Sequence, residues 1–378
     1  MKVIRSKGKK KMGEIDYGIF YTVALLLTIG VVMVYSASSY YAMFINKDSM
    51  YYLKRQLLSA IIGVVAMAFT MCMDYHKLKK YTVPIMIISI PLLLAVFFFK
   101  GVNGAQRWIY IGPLSFQPSD LVKYIVVLFM AMSLEVKGEG IKNFKTGIIP
   151  YLVMSGFFAA LVLAEKNLSI ACVIMIVTFI VLFAAGGKTK HLFGIVAPAM
   201  GAAAVAFTIL EPYRMKRLMS FTNPWKDPIG DGYQLIQSFY ALGAGGVTGL
   251  GLGQSRQKTL YMPEPHNDFI FSIIGEELGL IGCICIIILF IIFIWRGISV
   301  AMKARDTYGT LLAIGITSVI AVQSLINIAV VTGSMPVTGV PLPFISYGGS
   351  ALLMNMMAVG ILLNISRQIE GKEAPKEI

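Results

Sequence analysis

Apolar residues gather in runs of roughly 17–25 positions, each long enough to cross a bilayer core of about 30 Å as a helix. Ten such runs occupy 17–37, 56–73, 81–99, 119–134, 146–164, 168–185, 191–210, 269–295, 308–332 and 350–366. The fourth is the shortest and the least apolar. The pattern predicts an all-α polytopic membrane protein with ten transmembrane helices, read as one membrane domain over 1–378. Composition agrees, with 57% hydrophobic and 14% charged residues and a mean hydropathy of +0.75, which a soluble domain does not reach.

The charge refines this picture. The net +14 would suit a nucleic-acid binder, but the positives lie in short clusters between apolar runs, so no nucleic-acid partner is expected. Clusters of that kind set topology. With the N-terminus inside, cytoplasmic segments hold 20 of the 33 Lys and Arg and external segments hold 12, six of them in the long segment 211–267. Both ends are therefore expected in the cytoplasm, as a basic N-terminus over 1–16 and a tail over 367–378. The first run is too long for a signal peptide and reads as a retained span. Cys72, Cys172, Cys283 and Cys285 all sit in apolar runs, as packing residues rather than a disulfide framework.

Three external segments carry the conspicuous polar chemistry: 103–123, 211–267 and 333–350. Connectors of this length are usually functional, and all three fall on one side. No internal repeat is evident, which disfavours an inverted-repeat transporter.

Asp268 stands where a polar segment meets an apolar run, with Glu264 and His266 beside it. It reads either as a helix-terminal acid favoured by free N–H groups or as an outward-facing base. The Glu-x-His-x-Asp string also has donors for a metal, without diagnostic spacing. Lys123, about one turn into the fourth run, needs a partner at membrane depth. That partner is either Asp120 at i,i+3 or an acid from another helix, Asp268 first. Gln117, Pro118 and Ser119 mark a helix start.

Trp108 reads as an interfacial anchor or a site residue, and Arg107 beside it as a bidentate grip on phosphate. The glycine-rich stretch 241–258 reads as close packing or as an amide cradle for phosphate, with Arg256 and Lys258 adding charge. It lacks the P-loop ending. The basic cluster 213–217 reads as a headgroup contact. Glu276 and Glu277, about 12 Å along the helix from Asp268, are assigned a structural role.

Six ordered stretches resemble the SEDS family, the shape, elongation, division and sporulation proteins: VYSAS (34–38), GAQRWI (104–109), FQPSDLVK (116–123), NPWKDPIGDGYQLIQS (223–238), GLGQSRQKTLYMPEPHNDFIFSIIGEELG (251–279) and PVTGVPLPFISYGGS (336–350). The resemblance covers nearly the whole chain and is nearer the division and sporulation branch. It implies a peptidoglycan glycosyltransferase that polymerises lipid II onto a nascent glycan strand outside the cytoplasmic membrane, partnered by a class B penicillin-binding protein. Asp268 corresponds to the family's essential aspartate, and Lys123 to a lysine expected near it.

On this reading Asp268 is the base, while Lys123, Arg107, Lys258 and Arg256, or a divalent cation such as Mg or Mn, face the donor pyrophosphate. Trp108, Gln117, Ser119, Asp120, Glu264, His266 and Ser346 line the site. Two departures stand out: Asp120 replaces the more usual Glu, and 165–169 reads EKNLS where many members have Pro-Asp-Leu/Phe-Gly. No catalytic role is carried to that position. A lipid II flippase and a non-catalytic scaffold for the penicillin-binding partner are the competing functions. The external placement of the polar segments favours the enzyme.

Overall fold

The computed structural model describes residues 13–99, 101, 105–111 and 114–369. The basic run 2–11 and most of the expected tail lie outside them. Twelve helices build the fold: α1 (Tyr17–Asn46), α2 (Tyr51–Cys72), α3 (Leu78–Ala95), α4 (Pro118–Lys137), α5 (Ile149–Ala164), α6 (Leu168–Ala184), α7 (Ala197–Ile209), α8 (Pro212–Thr222), α9 (Tyr233–Gly245), α10 (Ile270–Lys303), α11 (Thr307–Val331) and α12 (Gly349–Arg367). Among the described residues eight helical stretches are long and apolar enough to cross a membrane. The runs expected as the fourth and sixth spans are helical but fall outside those eight: α4 carries Asp120, Lys123, Glu135 and Lys137, and α6 is only 17 residues long.

Helix α11 is the hub. Of its apolar stretch 72% is buried, against 11% for the stretch that ends in α7, so α11 forms the core and α7 leaves its apolar surface for lipid. Close approach depends on small residues: Val127 of α4 lies against Gly315 of α11, and the Thr70 hydroxyl of α2 donates to the Met357 carbonyl of α12 (3.0 Å) beside Gly360. Small-residue contacts are how helices gain packing energy where lipid is as apolar as the side chains.

Three features differ from ten unbroken spans joined by loops. The segment 103–123 holds a short antiparallel hairpin, Ile109–Ile111 against Leu114–Phe116, so the fold is not purely helical. The segment 211–267 contains helices α8 and α9. The expected eighth span is not continuous: α10 breaks at Gly279, whose φ of 68° and ψ of −167° are non-helical.

The glycine-rich stretch explains the break. Leu250 and Gly251 donate their N–H groups to the Glu276 and Glu277 carbonyls (both 2.9 Å), while Leu280 and Ile281 donate to the Gly246 and Val247 carbonyls (3.0 and 3.2 Å). Four of the backbone groups that a broken helix strands are thus satisfied by one loop. A Cβ on Gly245 would overlap the Gly275 carbonyl oxygen, and one on Gly279 the Gly249 nitrogen. The glycines serve close packing, and these amides bond carbonyls rather than phosphate.

Two contacts fix the depth of the break. At one end of the bundle Arg296 pairs with Asp16 (2.8 Å). Twenty residues along α1 from Asp16, a rise of about 30 Å, Ser36 donates to Glu277 (2.6 Å). The stretch after Gly279 therefore runs alongside α1 from the Ser36 level back to the Asp16 end.

Candidate active site

Asp268 lies two residues before the start of helix α10, held by its backbone. Asn327 of α11 donates Nδ2 to the Asp268 carbonyl (2.7 Å) and to the Val340 carbonyl (2.8 Å). One amide therefore joins the segment before α10 to the loop before α12. That juxtaposition brings Gly339 over the carboxylate. A Cβ there would stand 3.5 Å from Asp268 Oδ2 and 3.8 Å from Arg107 Nη1, so acid and guanidinium face one small space. A glycine keeps that space open.

Two arginines converge on Asp268. Arg107 is anchored through Nε to the Glu165 carbonyl (3.4 Å) and through Nη2 to the Lys166 carbonyl. Arg217, from α8, donates Nη1 to the Val337 carbonyl (3.1 Å). Burial pushes the Asp268 carboxyl up to about 6, the charge of Glu264 adds to the rise, and Arg217 and Arg107 oppose it. A carboxylate poised near neutrality suits a general base. Arg217 was invisible as a site residue in the sequence, since a basic cluster at a membrane exit looks the same whether it meets headgroups or a carboxylate.

Lys123 does not join this group. Its Nζ donates to Asp120 Oδ1 (3.1 Å) and to Gln323 Oε1 of α11 (3.2 Å), with no bond to Asp268. The i,i+3 acid on its own helix takes the lysine, and Ser350 donates to the other Asp120 oxygen (3.0 Å). Gln117 and Ser119 complete this layer through a 2.9 Å bond. Lys123→Ala would leave Asp120 buried without its cation, at a cost of about 3–5 kcal/mol. The detergent-solubilised variant is therefore expected to lose thermal stability along with activity, and an unchanged melting temperature would refute the pairing.

The remaining expected residues divide among three places. Lys258 is buried against Glu277 (2.8 Å) at the helix break, and the exposed Arg256 donates its backbone N–H to Glu276 (2.8 Å). Both lie at the far end of Ile270–Leu278 from Asp268. Glu276 and Glu277 bond the loop at Ser255–Lys258 and Ser36 of α1, rather than standing further along an unbroken span. His266 packs among Tyr52, Tyr347 and Tyr41 at ring separations of 4.1, 5.5 and 5.7 Å. Burial holds its pKa down to about 3, so the ring is neutral. Ser346 accepts from the Leu342 N–H (2.8 Å) and shapes the loop before α12. Trp108 is half-buried beside Arg107, and Glu264 accepts from Asn267 (2.8 Å). Among the described residues no three of His, Cys, Asp and Glu gather as a metal-ligand set.

The family model described as "Cell cycle protein", covering FtsW, RodA and SpoVE, matches residues 17–371. The chain belongs to this family. It is 46% identical over 351 residues to "Stage V sporulation protein E" of Bacillus subtilis, covering 91% of this chain and 94% of the relative. It is 43% identical over 361 residues to a "Probable peptidoglycan glycosyltransferase FtsW" of Geobacter sp., covering 94% and 98%. Among solved structures it resembles a chain of a peptidoglycan synthase complex described for its coordination of polymerization and crosslinking. The TM-score is 0.77 at 27% identity, over 93% of this chain and 98% of that one. The Thermus thermophilus rod-shape protein RodA shares the fold at a TM-score of 0.70 and 24% identity, over 94% and 98%. This SEDS-family chain is a multi-pass protein of the cytoplasmic membrane.

Proposed function

We propose that the chain is a peptidoglycan glycosyltransferase that polymerises lipid II at the outer face of the cytoplasmic membrane. The observation that carries the reading is the Asp268 carboxylate facing Arg107 across the gap kept by Gly339, with Arg217 on the same acid. The setting is a family whose relatives include proteins named as peptidoglycan glycosyltransferases.

The chemistry follows from that arrangement. The donor sugar leaves as a lipid pyrophosphate and needs no acid to protonate it, unlike an ordinary glycoside. Asp268 accepts the proton of the acceptor's GlcNAc 4-hydroxyl as the oxygen attacks the donor's anomeric carbon, and the linkage inverts from α to β. Arg107 and Arg217 hold the departing pyrophosphate by charge-assisted hydrogen bonds. Lys123 and Asp120 support the site from the layer below.

The topology in this proposal is ten spans with both ends cytoplasmic, α4 and α6 supplying the two beyond the eight apolar stretches. The segments carrying Arg107, Arg217, Asp268 and Gly339 then all face outward, where a class B penicillin-binding protein can receive the growing strand. A reporter active only outside the membrane is expected to be active when fused after Ser220 and silent after Lys142; the reverse at either site would overturn the orientation. The activity is tested by supplying purified chain, with its penicillin-binding partner, with labelled lipid II and resolving products by length. Movement of lipid II across vesicles without polymer would favour a flippase instead.

A further inference from the structure

Glu165 is a carboxyl that the reaction above does not use. It sits in the turn between α5 and α6 and is 1% exposed, and neither of its carboxylate oxygens has a hydrogen-bond partner. A buried acid without partners costs free energy that a purely structural residue would have no reason to impose. The turn itself is strained: Lys166 holds a φ of 60°, a conformation non-glycine residues seldom adopt. The next residue, Asn167, has an ordinary task, capping α6 by accepting from the Ile170 N–H (3.3 Å).

The strained turn aims the carbonyls of Glu165 and Lys166 at Arg107. The guanidinium that faces Asp268 across Gly339 is also the cation that acts on the buried Glu165 carboxyl. The charged groups bearing on Glu165 are Arg107 from the segment before α4 and Asp120 from α4; Lys166, next to it in the turn, is exposed. Burial raises the Glu165 pKa to about 8; Arg107 pulls it down and Asp120 pushes it up. At neutral pH the acid keeps its proton, and it ionises as pH rises through that value.

We propose that Glu165 is a positioning residue that acts through Arg107. Protonated, it leaves the guanidinium charge to an anionic phosphate ligand on the Asp268 side; ionised, it competes for that charge. The ligand class is an isoprenyl pyrophosphate. This assignment deepens the reading of the site as the place where a lipid pyrophosphate departs, and it rests on that reading.

The test is binding, which does not depend on turnover. Farnesyl pyrophosphate is titrated into the full chain in detergent at pH 7 and pH 9, for wild type and for Glu165→Gln. Wild-type affinity is expected to fall about tenfold across that interval, because each pH unit above the pKa of a fully competing group costs a factor of ten. Glu165→Gln, which cannot ionise, is expected to show little change. Any ionisation of the ligand itself affects both proteins alike. Difference infrared spectra of the two proteins provide a second reading. A protonated-carboxyl band present in wild type, absent in Glu165→Gln and lost at alkaline pH is expected. Parallel pH dependence of binding in the two proteins, no binding by wild type, or the absence of that band would each overturn the proposal. If binding behaves as expected while lipid II is not polymerised, the pyrophosphate role stands and the glycosyltransferase reading falls.

Discussion

Asp268→Asn is expected to abolish glycan polymerisation while leaving the folded protein intact. The amide matches the carboxylate in shape, and the bond that fixes this residue, from Asn327 Nδ2, goes to its backbone carbonyl and survives the change. Basicity is lost, together with the negative charge that faces Arg107 and Arg217. General-base catalysis contributes about 10²–10⁴-fold, so the variant should fall by at least the lower bound of that range, with an unchanged melting temperature and unchanged complex formation. The wild-type pH profile gives an independent reading. Burial and Glu264 raise the Asp268 pKa to about 6, and the base works only when ionised. On the acid side the rate should therefore decline as pH falls through that value. Near-normal polymerisation by a purified Asp268→Asn complex would sink the assignment.

Lys258→Ala is expected to unsettle the fold rather than weaken substrate binding. The ammonium is buried and pairs with Glu277, itself fully buried, while donating to Ser36 (3.2 Å). Glu277 also accepts from Ser36 and from the Ser255 N–H (3.3 Å). This cluster ties α1, the loop 253–258 and the break in α10 together. Removing one partner of a buried pair strands the other charge, at a cost of about 3–5 kcal/mol. Lys258→Ala and Glu277→Gln should each lower the thermal midpoint of the solubilised protein. The double variant Lys258→Met with Glu277→Gln should recover part of the loss, because no charge is then left alone. A Lys258→Ala protein that melts like wild type but needs far more lipid II to reach half-maximal rate would restore the lysine to the pyrophosphate.

The legible part of the site was Asp268, Arg107 and Glu264. Asp268 is marked by an abrupt change from polar to apolar sequence, and Arg107 by standing next to Trp108 in a polar segment. Lys123 was equally conspicuous, but a lysine within one turn of an acid on its own helix has a partner that folding the helix supplies at once. A distant acid would have to displace Asp120. Arg217 and Glu165 gave no such mark. Each belongs to an ordinary-looking stretch, a basic cluster and a short turn, and gains meaning only from what folds against it.

The sequence by itself determined that this chain crosses a membrane many times. A helix satisfies its own backbone hydrogen bonds, so a long enough apolar run specifies a span without reference to the rest of the chain. It also determined the family, through six ordered stretches spread over the whole length. Only the tertiary structure decided which charges meet and where a span stops. Hydropathy averaged along the run 269–295 cannot register a break at Gly279, because the groups that make the break tolerable are amides and carbonyls of 246–251, outside that run. Nor can local pattern choose among cations for Asp268. That choice is made by Asn327, which joins two segments 72 residues apart at Asp268 and Val340, and by the turn at Glu165 that aims Arg107 into the gap between them.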